Sequence, residues 1–205
     1  MDLKVTGDPG QGNTYIETHV QDVGSYNPNA LEVKHYHYEC STESRMGSYF
    51  RRLLSEIEQH STAKIVEELK DYTTKLDGTK SMEEKLSDGG FRRMFIKEAI
   101  HAKDLFAKKS QLYSFYPSAQ QIFLYLFAKI KHEFYTSVFP LIEDREPTRK
   151  VMERVREKIV TPIMQEIDSH GANDRFLLLT DDHIYGMIYF LTQMCHLNWK
   201  DYDYL

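Results

Sequence analysis

The stretch Pro117–Asp144, PSAQQIFLYLFAKIKHEFYTSVFPLIED, constrains the fold more than any other. From Ile122 to Phe127 large apolar and aromatic side chains follow one another without a charge, so a helix here is apolar almost all round. Such a helix is stable in water only when other elements cover every side of it. The run is too short to span a bilayer and leads into Lys129 and Lys131. Its place is therefore the centre of a helical bundle. Pro117 suits the first helical turn, where a missing N–H costs no intrahelical bond.

The neighbouring segments can supply that cover. SRMGSYFRRLLSEIE, residues 44–58, sets Met46, Tyr49, Phe50, Leu53, Leu54 and Ile57 at the three-and-four spacing of one helix face. AKIVEELKDYTTKL does the same with Ile65, Leu69, Tyr72 and Leu76, and stops at Asp77-Gly78. SMEEKLSDGG has room for one or two turns, and a longer helix runs from about Phe91 to Lys109. PTRKVMERVREKIVTPIMQEID carries Val151, Val155, Ile159, Ile163 and Ile167 at steps of four, with a kink expected near Thr161 because Pro162 follows. TDDHIYGMIYFLTQMCHLNW, residues 180–199, reads as one last helix, with Thr180 as N-cap and two aspartates facing the helix dipole. The fold expected is mainly α, a bundle of about six helices over residues 41–205.

Residues 1–40 follow a different period. TYIETHVQ alternates, with Ile16 and Val20 on one face, and ALEVKHYHYE alternates again after the turn-prone DVGSYNPN. Two strands in a β-hairpin are the expectation. A lone hairpin is marginal in water, so this segment has to pack on the helices or pair with another chain. The residues placed at that interface are Ile16, Val20, Leu31 and Val33, with Tyr36 and Tyr38.

Charge and cysteine usage narrow the function classes. The net charge of −5 gives no global attraction to nucleic acid or anionic lipid. Residues 91–135 nevertheless hold eight Lys or Arg against three Asp or Glu, and Arg92, Arg93 and Lys97 can share a helix flank there as contacts for a phosphate backbone. The plainer reading of that flank is a solvated surface. Two cysteines in 205 residues fit a reduced compartment rather than a secreted scaffold. MDLKVTGDPGQGN lacks the charged start and apolar run of a signal peptide, so a soluble cytoplasmic protein is expected.

One short stretch resembles a metal site. In LEVKHYHYEC, His35 and His37 fall on the same strand face and Cys40 lies just beyond, a nitrogen and sulfur set that zinc accepts. The alternative is a strand edge with packed rings, since a structural zinc needs four ligands and no close cysteine pair is present. Elsewhere there is no His-Glu-x-x-His, no phosphate loop and no Gly-x-Ser-x-Gly. Cys195 and His196, read as neighbours on the last helix, point about 100° apart and cannot act as a pair. No cofactor and no catalytic residue are expected.

The final segment carries a family resemblance. Gly186-Met187, the aromatic and aliphatic run after it, Cys195-His196 and the late Trp199 resemble the last helix of C-terminal domains of bacterial ABC-three-component conflict systems. IVTPIMQEI in the kinked helix suits the same module, and the likeness spans about residues 115–199. The opening GQGNTYIETHVQDVGSYNPNALEVKHYHYE is similar to Gly- and Asn-punctuated strand segments of bacterial effector proteins. The resemblance implies a place beside an SMC-like or ABC-type ATPase and an effector, in defence against phage and plasmids. Beside the helical body there is no room for a nuclease, protease or NADase. It therefore implies a non-enzymatic coupling subunit that forms a homo-oligomer or docks to the ATPase or effector. The alternatives kept open are a metal-dependent enzyme using His35, His37 and Cys40, and a nucleic-acid-binding subunit using the basic helices.

Overall fold

The computed structural model describes residues 3–7, 14–18, 44–60, 67–76, 80–171 and 173–202. The chain divides into two compact units, Met1–Glu43 and Ser44–Leu205.

In the first unit, β1 (Leu3–Gly7) and β2 (Thr14–Thr18) pair antiparallel, with Leu3 opposite Thr18 and Gly7 opposite Thr14. The alternating TYIET is thus a strand. Its partner among the described residues is β1, which lies upstream. Only six residues separate β1 from β2, so closing this pair costs little chain entropy. The stretch 30–39 lies outside the described residues.

Every regular element of the second unit among its described residues is a helix. Its segments are α1 (Arg45–Glu58), α2 (Glu67–Thr73), α3 (Met82–Asp88), α4 (Arg93–Leu112), α5 (Pro117–Glu133), α6 (Phe139–Glu143), α7 (Thr148–Val155), α8 (Thr161–His170) and α9 (Asp181–Gln193). A π-helical turn, Phe134–Val138, joins α5 to α6, and a second, Arg156–Val160, joins α7 to α8. The described segments therefore form seven rods.

α5 is central, as its all-round apolar surface requires. Ile122, Phe123, Leu126, Phe127 and Ile130 are at most 1% exposed, with α1, α2 and α9 packed around them. The start of α5 has no cap of its own. Glu56 on α1 supplies one, accepting from the Ser118 N–H at 3.0 Å and from its hydroxyl at 2.6 Å. A carboxylate there satisfies an orphan donor and faces the positive end of the helix dipole.

The steps of four in the seventh segment explain the second π turn. Four residues advance an α-helix by about 400°, so five positions spaced by four drift by roughly 160° around it. Yet Val151, Val155, Ile159, Ile163 and Ile167 are all at most 5% exposed. One extra residue in the turn Arg156–Val160 takes back about 100° of that drift. The turn ends immediately before Thr161-Pro162, so the deviation expected from Pro162 takes the form of a π turn. Pro140 stands in the same relation to the turn Phe134–Val138.

The last helix is shorter than its hydrophobic pattern. α9 stops at Gln193, the His196 N–H returns to the Leu191 carbonyl at 2.9 Å, and the Cys195 N–H to Thr192 at 3.1 Å. Cys195 takes φ +66°, so it fills the left-handed position that glycine usually occupies after a helix. This corrects the placement of Cys195 and His196 on the helix itself. The reversal folds Trp199 back under α9, where its indole N–H donates to the Thr192 hydroxyl at 2.9 Å. Phe91 and Phe134 meet Trp199 edge-on at 5.0 and 5.1 Å.

α4 and α9 form the tightest helix pair. A Cβ added at Gly186 would stand 2.3 Å from the Ala102 carbonyl oxygen and 2.7 Å from the Phe106 Cβ, so only glycine admits this approach. Phe106, fully buried beneath the crossing, meets Phe123, Phe127 and Phe190 edge-on at 5.5 to 5.6 Å.

Candidate functional site

The N-terminal turn of α4 breaks the usual rules of helix construction. Arg92 is the N-cap residue and Arg93 begins the helix, no side chain caps it, and its first turn holds no carboxylate. Two cations against the positive end of a helix dipole cost up to about 1 kcal/mol each. Lys97 follows one turn on, and all three are exposed. None of the three makes an ion pair among the described residues. The sequence-derived trio is thus brought together on one end of one helix, with its charge unspent.

Two large apolar side chains stand among these cations. Met94 is 76% exposed and Phe95 46%. They form one wall of a groove of about 1,070 Å³ that runs along α4 from Phe91 to Ala102. Met152 on α7 and Tyr185 on α9 are on its other sides, half-buried, and Ala99 and Tyr189 lie buried along it. Arg156, in the π turn, adds an unpaired cation to the rim, whereas Arg149 is neutralised by Glu153 at 3.0 Å. Glu98 and Asp182 are the remaining rim carboxylates.

A second cavity, about 850 Å³, shares Gly90, Phe91 and Thr148 with the groove and has the opposite polarity. Asp88, Glu143, Asp144, Glu146 and Asp201 line it beside Trp199. Asp88 is engaged there, accepting from Lys80 at 2.5 Å and from the Tyr202 hydroxyl at 3.0 Å. These bonds hold its carboxyl below the usual carboxylate range.

Two histidines of the helical unit are buried. His183 accepts at Nδ1 from the Thr180 N–H at 3.1 Å, which fixes a neutral ring at the start of α9, while its Nε2 has no hydrogen-bond partner. Burial first, and the Lys109 charge second, push its pKa down. His196 lies 5.5 Å from the Tyr72 ring, and burial first, then the Lys131 charge, push its pKa down against the opposing pull of the Asp71, Thr74 and Tyr72 backbone. Both are packing groups. Between α5 and α8, Glu166 binds the Tyr125 hydroxyl at 2.7 Å and Lys129. Burial pulls that carboxyl upward, but the two bonds outweigh it and it sits below the usual range.

Of the other sequence candidates, Ile16 lies in β2 opposite Val5. Val20, Leu31, Val33, Tyr36 and Tyr38, and the metal set His35, His37 and Cys40, lie outside the described residues. Among the described residues no group of three or more His, Cys, Asp or Glu could hold a metal ion, and no helix is long and apolar enough to cross a membrane. Sequence reasoning missed Met94, Phe95, Met152 and Tyr185. The visible signal was the Met94-Phe95 pair, which interrupts a polar flank between Arg93 and Lys97; the other two come from separate elements.

A family model described as C-terminal domain 9 of the ABC-three component (ABC-3C) systems matches residues 81–199. The matched span begins at α3 and includes the groove, the Gly186 contact and the Trp199 fold-back. No curated protein and no solved structure matches the chain.

Proposed function

Since the chain belongs to the C-terminal domain 9 family of the ABC-three component systems, we propose that it is a non-enzymatic assembly or coupling subunit of a bacterial anti-phage and anti-plasmid complex. It docks to the other subunits of its system and passes on their state. The observation that carries this reading is the cationic, apolar end of α4. Met94 at 76% exposure and three cations without an ion pair among the described residues add little to the stability of this unit, Phe95 beside them is nearly half exposed, and two of those cations oppose the dipole of their own helix. Features that cost stability and face outward are expected where a partner makes up the difference. Among the described residues β1 and β2 form a two-stranded sheet with an edge on each strand, and such edges accept a further strand. Self-association through residues 1–40 belongs to the same proposal.

The test is light scattering coupled to size exclusion, on the purified chain alone and co-expressed with the other subunits of its system. A stable assembly in either preparation is the expected result. A strict monomer that binds none of them overturns the reading.

A further inference from the structure

The geometry points to an acidic amphipathic helix of a partner subunit as the occupant of the groove between α4, α7 and α9. This inference rests on the reading above and names the chemistry of the contact. Length comes first. From its N-cap Arg92 to Ala102 the groove follows ten residues of α4, about 15 Å, which is close to three turns of a second helix lying alongside. A volume of about 1,070 Å³ over that length is less than the full cross-section of a helix with its side chains, so the helix lies partly sunk in the groove. Met94, Phe95, Met152 and Tyr185 then receive apolar anchors spaced at i, i+3 or i+4, and i+7. Two methionines suit this work, since an unbranched thioether adapts to the side chain it meets.

Charge selects the partner. In the groove's lining Arg92 and Arg156, neither in an ion pair among the described residues, stand against Glu98 and Asp182, and Arg93 and Lys97 add two exposed cations on the adjoining flank of α4. Asp182 already faces the N-terminus of α9, so the groove presents a positive end on a chain whose net charge is −5. The uncapped N–H groups of α4 add to that field. Carboxylates at the end of the incoming helix meet Arg92, Arg93 and those N–H groups. They supply the cap and the acidic first turn that α4 lacks.

Other occupants fit less well. A second copy docked groove to groove about a two-fold axis sets one concave face on another and supplies no ridge to fill either. A nucleic acid leaves Met94 and Phe95 uncovered and brings phosphates beside Glu98, Asp182 and Glu153. A duplex is also too wide for a groove in which one helix lies partly sunk.

A photo-crosslinking residue placed at Phe95 in the full chain, within the co-purified complex, tests the assignment, with Leu112 at the far end of α4 as control position. The expected product joins residue 95 to an Asp- and Glu-rich amphipathic segment of a partner subunit. The double substitution Met94→Asp/Phe95→Asp should weaken the complex at least tenfold, and Met94→Asp alone should weaken it with an unchanged melting temperature, since that side chain is 76% exposed. Arg92→Glu/Arg93→Glu should slow association about tenfold at low salt and little at high salt. Crosslinks to a copy of this chain or to nucleic acid, or a yield at 95 no greater than at 112, overturn the inference. So does undiminished affinity of the Met94→Asp/Phe95→Asp chain. In these outcomes the assembly still forms and the proposed function stands. If the wild-type chain forms no assembly, both fall together.

Discussion

Replacing Gly186 by alanine separates the α4–α9 packing from every other contribution to stability. Helix propensity alone favours the change, because alanine in a helix interior is better than glycine by about 1 kcal/mol. The contact opposes it. The new methyl stands 2.3 Å from the Ala102 carbonyl oxygen and 3.0 Å from its carbon, both backbone atoms that cannot rotate away. Ordinary contact requires about 1 Å more, so the two helices have to part by that amount. A gap of this size forfeits a quarter to a half of the dispersion energy of the atoms along it, and overpacking of a core costs roughly 1–3 kcal/mol. With Phe106 loosened from three ring partners at once, about 3–4 kcal/mol is the gross loss. Subtracting the propensity gain leaves a net destabilisation of about 2–3 kcal/mol. For a unit of this size that lowers the melting temperature by roughly 5–10 °C. Urea and thermal unfolding followed by circular dichroism measure both quantities. Ala102→Gly in the same chain should give no rescue, because the clash is with the carbonyl and not with the methyl. An alanine variant that melts at or above the wild-type temperature refutes the claim that the missing Cβ sets the helix spacing.

Other outcomes follow from single side chains. Lys85 is 2% exposed and its ammonium has no hydrogen bond, so Lys85→Met should raise the urea midpoint by the equivalent of about 1 kcal/mol or more. Glu56→Gln keeps one acceptor at the start of α5 but loses the charge, and Glu56→Ala loses both; stability should fall in that order, by up to about 2 kcal/mol for alanine. Because the folded pKa values of His183 and His196 are depressed by burial, the unfolded chain binds more protons once pH falls below about 6.5. Their stabilisation is complete above that pH and declines on acidification until the folded rings also protonate. Denaturation curves between pH 8 and 5 should show this slope, and the double variant His183→Gln/His196→Gln should flatten it. Deleting residues 1–40 should leave a cooperative melt, since Ser44–Leu205 is a compact unit with a continuous apolar core from Met46 to Trp199; a loss of that cooperativity shows instead that the segment belongs to the core.

Most of the helical unit was readable because its signals are local and repeated. The α1 stripe placed Met46, Phe50 and Leu53 in the core correctly, and Thr180 with two aspartates marked the start of α9. Ends were harder. α9 overran in the reading because Cys195, not glycine, takes the left-handed position after it, and nothing in a cysteine announces a helix stop. α2 ends at Thr73, three residues before Leu76, because the hydroxyls of Thr73 and Thr74 both turn back to the Lys70 carbonyl; Leu76 is left 62% exposed. Of the groove, Arg92, Arg93 and Lys97 were visible as a cationic flank, since charge is read residue by residue. Its apolar half was not, because Met152, Tyr185 and Phe95 lie on three elements that only the tertiary fold brings together.

The two π turns bear on how sequences of this kind can be compared. Each is a helix carrying one residue more than its hydrogen-bond pattern needs, lodged just before a proline. Position numbers on the two sides of the turn therefore run on different registers. Val151 and Ile167 are both buried here, although positions sixteen apart on an uninterrupted helix lie on nearly opposite sides. A relative that lacks the turn needs a one-residue gap within 156–160 before its core positions correspond. Without that gap, every residue from Ile163 to Ile167 is matched to a neighbour on another face, and Arg156 is compared with a residue that need not face the groove. The same insertion offers a place where a family can gain or lose a residue while both halves of the rod keep their caps, their prolines and their neighbours.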